Sequence, residues 1–129
     1  MGWQADNYRS LIRNSERTKL ENSLLLLIRQ NHLPEPVPQF KFCPDRKWVA
    51  DFAYPEQKIL IECEGGLWRK NQEGQWAGAH SYPGAILRDI EKYNQAALLG
   101  YRLFRFTDYQ LKDGSAIEIL KKALELTTR

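Results

Sequence analysis

Cysteine is scarce in this chain of 129 residues: Cys43 and Cys63 stand alone, too few for a disulfide scaffold, which points to a reducing cytoplasm. Long apolar runs are missing too. The longest, Leu24-Leu25-Leu26-Leu27-Ile28, is far short of the roughly 18 to 20 residues that cross a bilayer, so no membrane partner is expected. The opening Met-Gly-Trp-Gln-Ala-Asp has neither a basic segment nor an apolar one, which argues against secretion. Charge of one sign is also weak. Nineteen Lys plus Arg against sixteen Asp plus Glu give +3, spread along the chain without a basic tail. There is no internal repeat and no low-complexity segment.

The chain is rich in core-forming side chains. Hydrophobic residues make up 43%, and four Trp, five Phe and six Tyr supply large buried areas, which excludes intrinsic disorder. The length suits a single domain over residues 1–129.

Periodicity sets the order of elements. Leu20, Leu24, Leu27 and Ile28 predict a helix from Ser15 to Asn31, stopped by Pro34, Pro36 and Pro38. A short helix over residues 5–13 precedes it. Strands are predicted over Gln39–Cys43, Trp48–Tyr54 and Lys58–Glu64, joined by the turns Pro44-Asp45-Arg46-Lys47 and Pro55-Glu56-Gln57 as an antiparallel meander. Gly65 to Pro83 is polar and aperiodic, a loop of functional length. A helix from Gly84 to Leu99 follows, with Ile86, Ile90, Tyr93 and Ala97 on one face and Gly100 as its stop. Tyr101–Thr107 is a strand placed parallel to a neighbour by this helical crossover. Ser115-Ala116-Ile117-Glu118 reads as a capping box opening the last helix. The fold class is therefore α/β, a mixed sheet flanked by helices.

Acidic residues interrupt this apolar pattern where it should not tolerate them. In Ile59-Leu60-Ile61-Glu62-Cys63-Glu64, strand alternation puts Glu62 and Glu64 on one face. Asp51, disfavoured in a strand, sits within Val49-Ala50-Asp51-Phe52-Ala53, and hairpin pairing brings it near Leu60, Ile61 or Glu62. Glu21 precedes Leu24, Leu25 and Ile28 by three, four and seven residues, so it lies on the helix's apolar face and needs a partner. Taken singly, each has an ordinary explanation: a partner for a buried Arg, a turn or edge Asp, a solvated strand face. Together the four carboxylates suit a hard divalent cation, Mg²⁺ first, which polarises phosphate and activates water. Counted as ligands, they leave 19 basic against 12 acidic side chains, a balance suited to a polyanion. Cys43, Cys63, His32 and His80 match no zinc spacing.

At these residues the sequence resembles the PD-(D/E)XK nuclease superfamily, and within it small phage and bacterial proteins related to the very-short-patch-repair endonuclease fold. The matching strings are Pro44 to Ala53, Ile61 to Trp68, Gly78-Ala79-His80, and Asp89 to Asn94 leading into Gly100 to Phe106. The resemblance implies a restriction-endonuclease-like sheet and a Mg²⁺-dependent endodeoxyribonuclease, with Mn²⁺ as substitute, in the cytoplasm of a bacterium or phage-infected cell. It makes Asp51 the metal-binding Asp, Glu62 the following acid and Glu21 the helix-borne acid. Where the superfamily usually carries Lys two residues after its acid, this chain has Glu64, a second-metal ligand or water-activating group. A replacement lysine would come from the following helix as Lys92. Asp45, in the turn, is not a ligand.

Further candidates lie around these acids. His80 is a phosphate contact or proton donor, against the simpler reading of an exposed loop histidine. Arg69, Lys70 and Arg88 are phosphate contacts, and Trp68 and Trp76 stack on bases, unless they merely face solvent or anchor the loop. One such domain reaches one strand, so cutting a duplex or junction implies a homodimer. The alternatives are a catalytically inactive nuclease-fold module for DNA binding or assembly, and, less suited to so small a domain, a two-carboxylate glycosidase.

Overall fold

The structure, a computed structural model, describes residues 15–65 and 83–128. The helix expected over residues 5–13 and most of the segment from Gly65 to Pro83 lie outside the described residues. The described elements run α1 (Ser15–Gln30), β1 (Val37–Lys41), β2 (Val49–Tyr54), β3 (Ile59–Glu64), α2 (Pro83–Leu98), β4 (Arg102–Thr107), α3 (Asp108–Asp113) and α4 (Ser115–Thr128). The sheet is open and mixed, in the order β1-β2-β3-β4. The first three strands are antiparallel neighbours, and β4 lies parallel to β3 after the α2 crossover. No described helix is long and apolar enough to cross a membrane.

One face of the sheet carries the larger core. Phe52 and Tyr54 of β2, Ile59, Ile61 and Cys63 of β3 and Phe106 of β4 pack with Leu24 and Ile28 of α1 and with Leu111, Ile117 and Leu120 of α3 and α4. Leu24 and Ile28 are wholly buried. Each contributes about 2 kcal/mol of transfer free energy, which holds α1 to the sheet. The other face is thinner: Ala53 and Leu60 pack with Phe42, Cys43 and Ala96, rimmed by Trp48, Tyr101 and Leu103. β3, flanked on both sides, is buried from end to end.

Helix ends follow local chemistry more than the proline cluster. α1 stops at Gln30, four residues before Pro34: His32 takes a left-handed φ of 57°, its N–H reaches Arg29 O at 3.1 Å, and Leu33 N–H reaches Ile28 O at 3.0 Å. That is a Schellman closure, and Leu33 packs against the core beside it. Gly100, at φ 87°, closes α2 in the same way.

Two expectations are corrected. The capping box is not at Ser115 but at Thr107, whose side chain accepts from Gln110 N–H while Gln110 reaches back to Thr107 N–H, opening α3. Six residues are too few for periodicity to betray that helix. Ser115 is the first residue of α4, and its N–H donates to Asp113 Oδ1 at 2.8 Å. The inward face of α2 also differs. Ala96 is buried and Tyr93 half-buried, while Ile86, Ile90 and Ala97 are exposed. Lys92 and Tyr93 meet partners on the sheet and set the rotation of the helix, against the apolar stripe.

Tyr54 ties this core to the loop after α1, donating from its hydroxyl to Pro34 O at 2.7 Å. Burial, with a smaller contribution from Glu35, pushes its pKa up to about 12. The unfolded chain releases that proton near about pH 10. This contribution to stability is therefore intact below about pH 10 and is lost as pH rises towards 12. Tyr54→Phe is expected to cost about 1 kcal/mol at neutral pH and to make that alkaline fall shallower. Urea unfolding at both pH values checks it; an unchanged alkaline slope would assign the fall to other groups.

Candidate active site

The site begins where the β2-β3 ladder opens. Phe52 pairs with Ile61, and one step further the register sets Asp51 across from Glu62. There a side chain replaces a strand carbonyl: Asp51 Oδ2 accepts the Cys63 N–H at 2.8 Å. Asp51 is only 2% exposed, so this bond fixes the orientation of a carboxylate inside the protein. The Cys63 thiol lies on the opposite face, in the apolar core.

Glu62, 3% exposed, accepts from the Lys92 ammonium, which α2 carries over the sheet. Lys92 also donates to Val49 O at 3.0 Å, so one cation ties α2 to β2 and β3. The lysine expected from the following helix thus meets the acid on β3.

Glu64 ends β3 and has a different partner. Arg105, paired with Glu62 in the parallel register, donates from Nε to Glu64 Oε1 at 2.9 Å. Its guanidinium carbon lies 4.8 Å from the centre of the Tyr93 ring. Burial works against the charge on Arg105, but Glu64 outweighs it and holds the guanidinium pKa above its ordinary value. Burial and the nearby Glu64 push the Tyr93 phenol well above its usual range, with Arg105 opposing.

Glu21 is half-buried on α1 and accepts from Gln39 Nε2 at 3.4 Å. Gln39 belongs to β1 and has a left-handed φ of 47° opposite Asp51 in the β1-β2 register. Arg88 is exposed on α2, one turn before Lys92. Trp68, Arg69, Lys70, Trp76 and His80 lie outside the described residues. Arg105, Tyr93 and the Val49 carbonyl were not among the site residues expected from sequence. The signal for Arg105 was present: it breaks the apolar run Leu103-Phe104-Arg105-Phe106.

Glu64 is better described as the partner of Arg105 than as a stand-in lysine. Glu64→Lys sets an ammonium against that guanidinium, and a loss of about 2 kcal/mol is expected. The swap Glu64→Lys with Arg105→Glu should recover most of it. Urea midpoints of the single and double variants check this; a Glu64→Lys protein as stable as the parent would refute the pairing.

Among the described residues, carboxylates are the ionised donors at this point, a set that suits a hard cation. Among the described residues no three His, Cys, Asp or Glu side chains group as a metal cage. Mg²⁺ commonly needs only one or two carboxylates, completed by water and substrate phosphate. Asp51 and Glu62 fit that requirement. The chain matches no family model, no curated protein and no solved structure.

Proposed function

We propose that the protein is a Mg²⁺-dependent endodeoxyribonuclease of the PD-(D/E)XK type with a restriction-endonuclease-like sheet. The observation that carries this reading is the Lys92 ammonium on Glu62 beside the buried Asp51. An acid, an acid and a lysine converge although the lysine is absent from its usual place two residues after Glu62. The meander followed by a parallel fourth strand supports the same reading.

Asp51 and Glu62 would hold the ion. When bound, it lowers the pKa of water and stabilises charge on the leaving oxygen. Lys92 has three N–H donors, of which Glu62 and Val49 O take two. The third is available to orient an attacking water or a phosphate oxygen. Asp51, held by the Cys63 amide, keeps its carboxylate aimed without reorganisation. Trp68, Arg69, Lys70, Trp76, His80 and Arg88 remain the proposed DNA contacts, and a homodimer the proposed way to cut both strands.

Supercoiled plasmid with Mg²⁺ or Mn²⁺ is the test. Nicking that EDTA abolishes is the expected result. One observation favours the second reading, an inactive DNA-binding or assembly module: Glu62 and Glu64 are each already neutralised by a basic side chain. Binding without cleavage, on plasmid and on a four-way junction alike, would select it.

A further inference from the structure

We propose that Arg105 is a phosphate clamp of this protein, gripping the DNA backbone beside the acidic centre through its outward-facing guanidinium edge. The inference rests on the DNA-directed reading above and deepens it by naming a contact and its chemistry.

Arg105 sits in β4 within a run that is otherwise apolar, and its register partner is Glu62. Only its Nε is committed, to Glu64. A guanidinium has five N–H donors in a rigid plane, so four on the two terminal nitrogens have no acceptor among the described residues. Its side chain is 42% exposed, whereas Glu64 beneath it is 10% exposed. The Tyr93 ring, at 4.8 Å, supports the plane from one face. Glu64 and Tyr93 together hold the fork in place before any ligand arrives, which reduces the ordering needed on binding. A planar fork with two donors on one open edge matches the two non-bridging oxygens of a phosphodiester.

Charge at the strand ends is mixed: Lys92 and Arg105 each face a β3 carboxylate, and Asp89 also lies close enough to act on Arg105. Lys92 is 15% exposed and engaged twice. Arg105 is the more exposed of the two and has donors to spare, so it is the group from which an anion gains most.

The test is binding of a short fluorescent DNA duplex in EDTA, where no strand is cut, from about 50 to about 200 mM salt. Arg105→Gln should weaken binding and lower the slope of log affinity against log salt by about 0.9, the signature of one lost phosphate contact. Glu64→Gln, which keeps the guanidinium, should leave that slope unchanged. The double variant Glu64→Gln/Arg105→Gln carries no unpaired acid and should show the same loss of slope as Arg105→Gln, which separates the clamp from misfolding. An unchanged slope in both Arg105 variants overturns the clamp and leaves the nuclease reading to plasmid nicking. A lowered slope in a protein that never nicks plasmid keeps the clamp and overturns the nuclease. A parent protein that binds no duplex overturns the clamp outright.

Discussion

Asp51→Asn should abolish metal-dependent nicking, by about 100-fold or more, and leave the fold intact. The first half follows from charge. Replacing a carboxylate by a neutral amide removes the strongest attraction for a dication at the opening of the β2-β3 ladder. A loss of roughly 3 kcal/mol in transition-state stabilisation corresponds to that factor. The second half follows from the hydrogen bond. Asp51 accepts the Cys63 N–H, and the Asn carbonyl oxygen accepts equally well in the same volume. Asp51→Ala differs: it strands a buried amide N–H and should cost about 1 to 3 kcal/mol of stability. Comparing the three proteins by plasmid nicking and urea unfolding separates chemistry from folding. An Asp51→Asn protein that nicks at the parental rate would remove Asp51 from the chemistry.

Lys92→Met has the largest expected effect on stability. The substitution keeps the length of the side chain but leaves Glu62, 3% exposed, without its ammonium. Removing one partner of a buried ion pair costs about 3 to 5 kcal/mol, because the remaining charge is stranded away from water. Val49 O also loses its donor. Adding Glu62→Gln should return most of that loss, since the carboxylate that Lys92 neutralised is gone, giving a coupling of about 2 kcal/mol in the double-mutant cycle. Activity should not return with stability, because neither the acid nor the ammonium is restored. Urea midpoints for the four proteins of the cycle, each paired with a nicking assay, supply both readouts. Additive effects of the two substitutions would refute the pairing. A double variant that nicks would refute the role of Lys92.

The two carboxylates of β3 show how a local pattern divides once strands are neighbours. Alternation makes Glu62 and Glu64 equivalent, both on one face of one strand. In the structure Glu62 meets a lysine from a helix, and Glu64 meets an arginine from the adjacent strand. The first pair lies deep beside Asp51, and the second opens towards solvent. The same dipeptide spacing therefore serves a buried centre and its rim.

Sequence alone determined whatever depends on neighbours along the chain. The strands from Val49 to Tyr54 and Ile59 to Glu64 follow from apolar runs bounded by turn residues, and α1 follows from the leucine stripe over Leu20, Leu24 and Ile28. The oddity of Asp51 and Glu62 was legible because a carboxylate in a strand interior violates a local rule. Lys92 was reachable only through the resemblance, since nothing in its helix marks it out. Tertiary structure decided the rest. The parallel β3-β4 register, which sets Arg105 opposite Glu62, depends on how α2 crosses the sheet, and no period within either strand encodes it. The rotation of α2 was likewise settled by contact: Lys92, Tyr93 and Ala96 turn towards the sheet while Ile86 and Ile90 remain half exposed. A hydrophobic stripe is a preference of about 1 kcal/mol per side chain at partial burial, whereas leaving Glu62 buried without its ammonium costs several times more. The stronger electrostatic demand set the face, and it became visible only once the helix lay on the sheet.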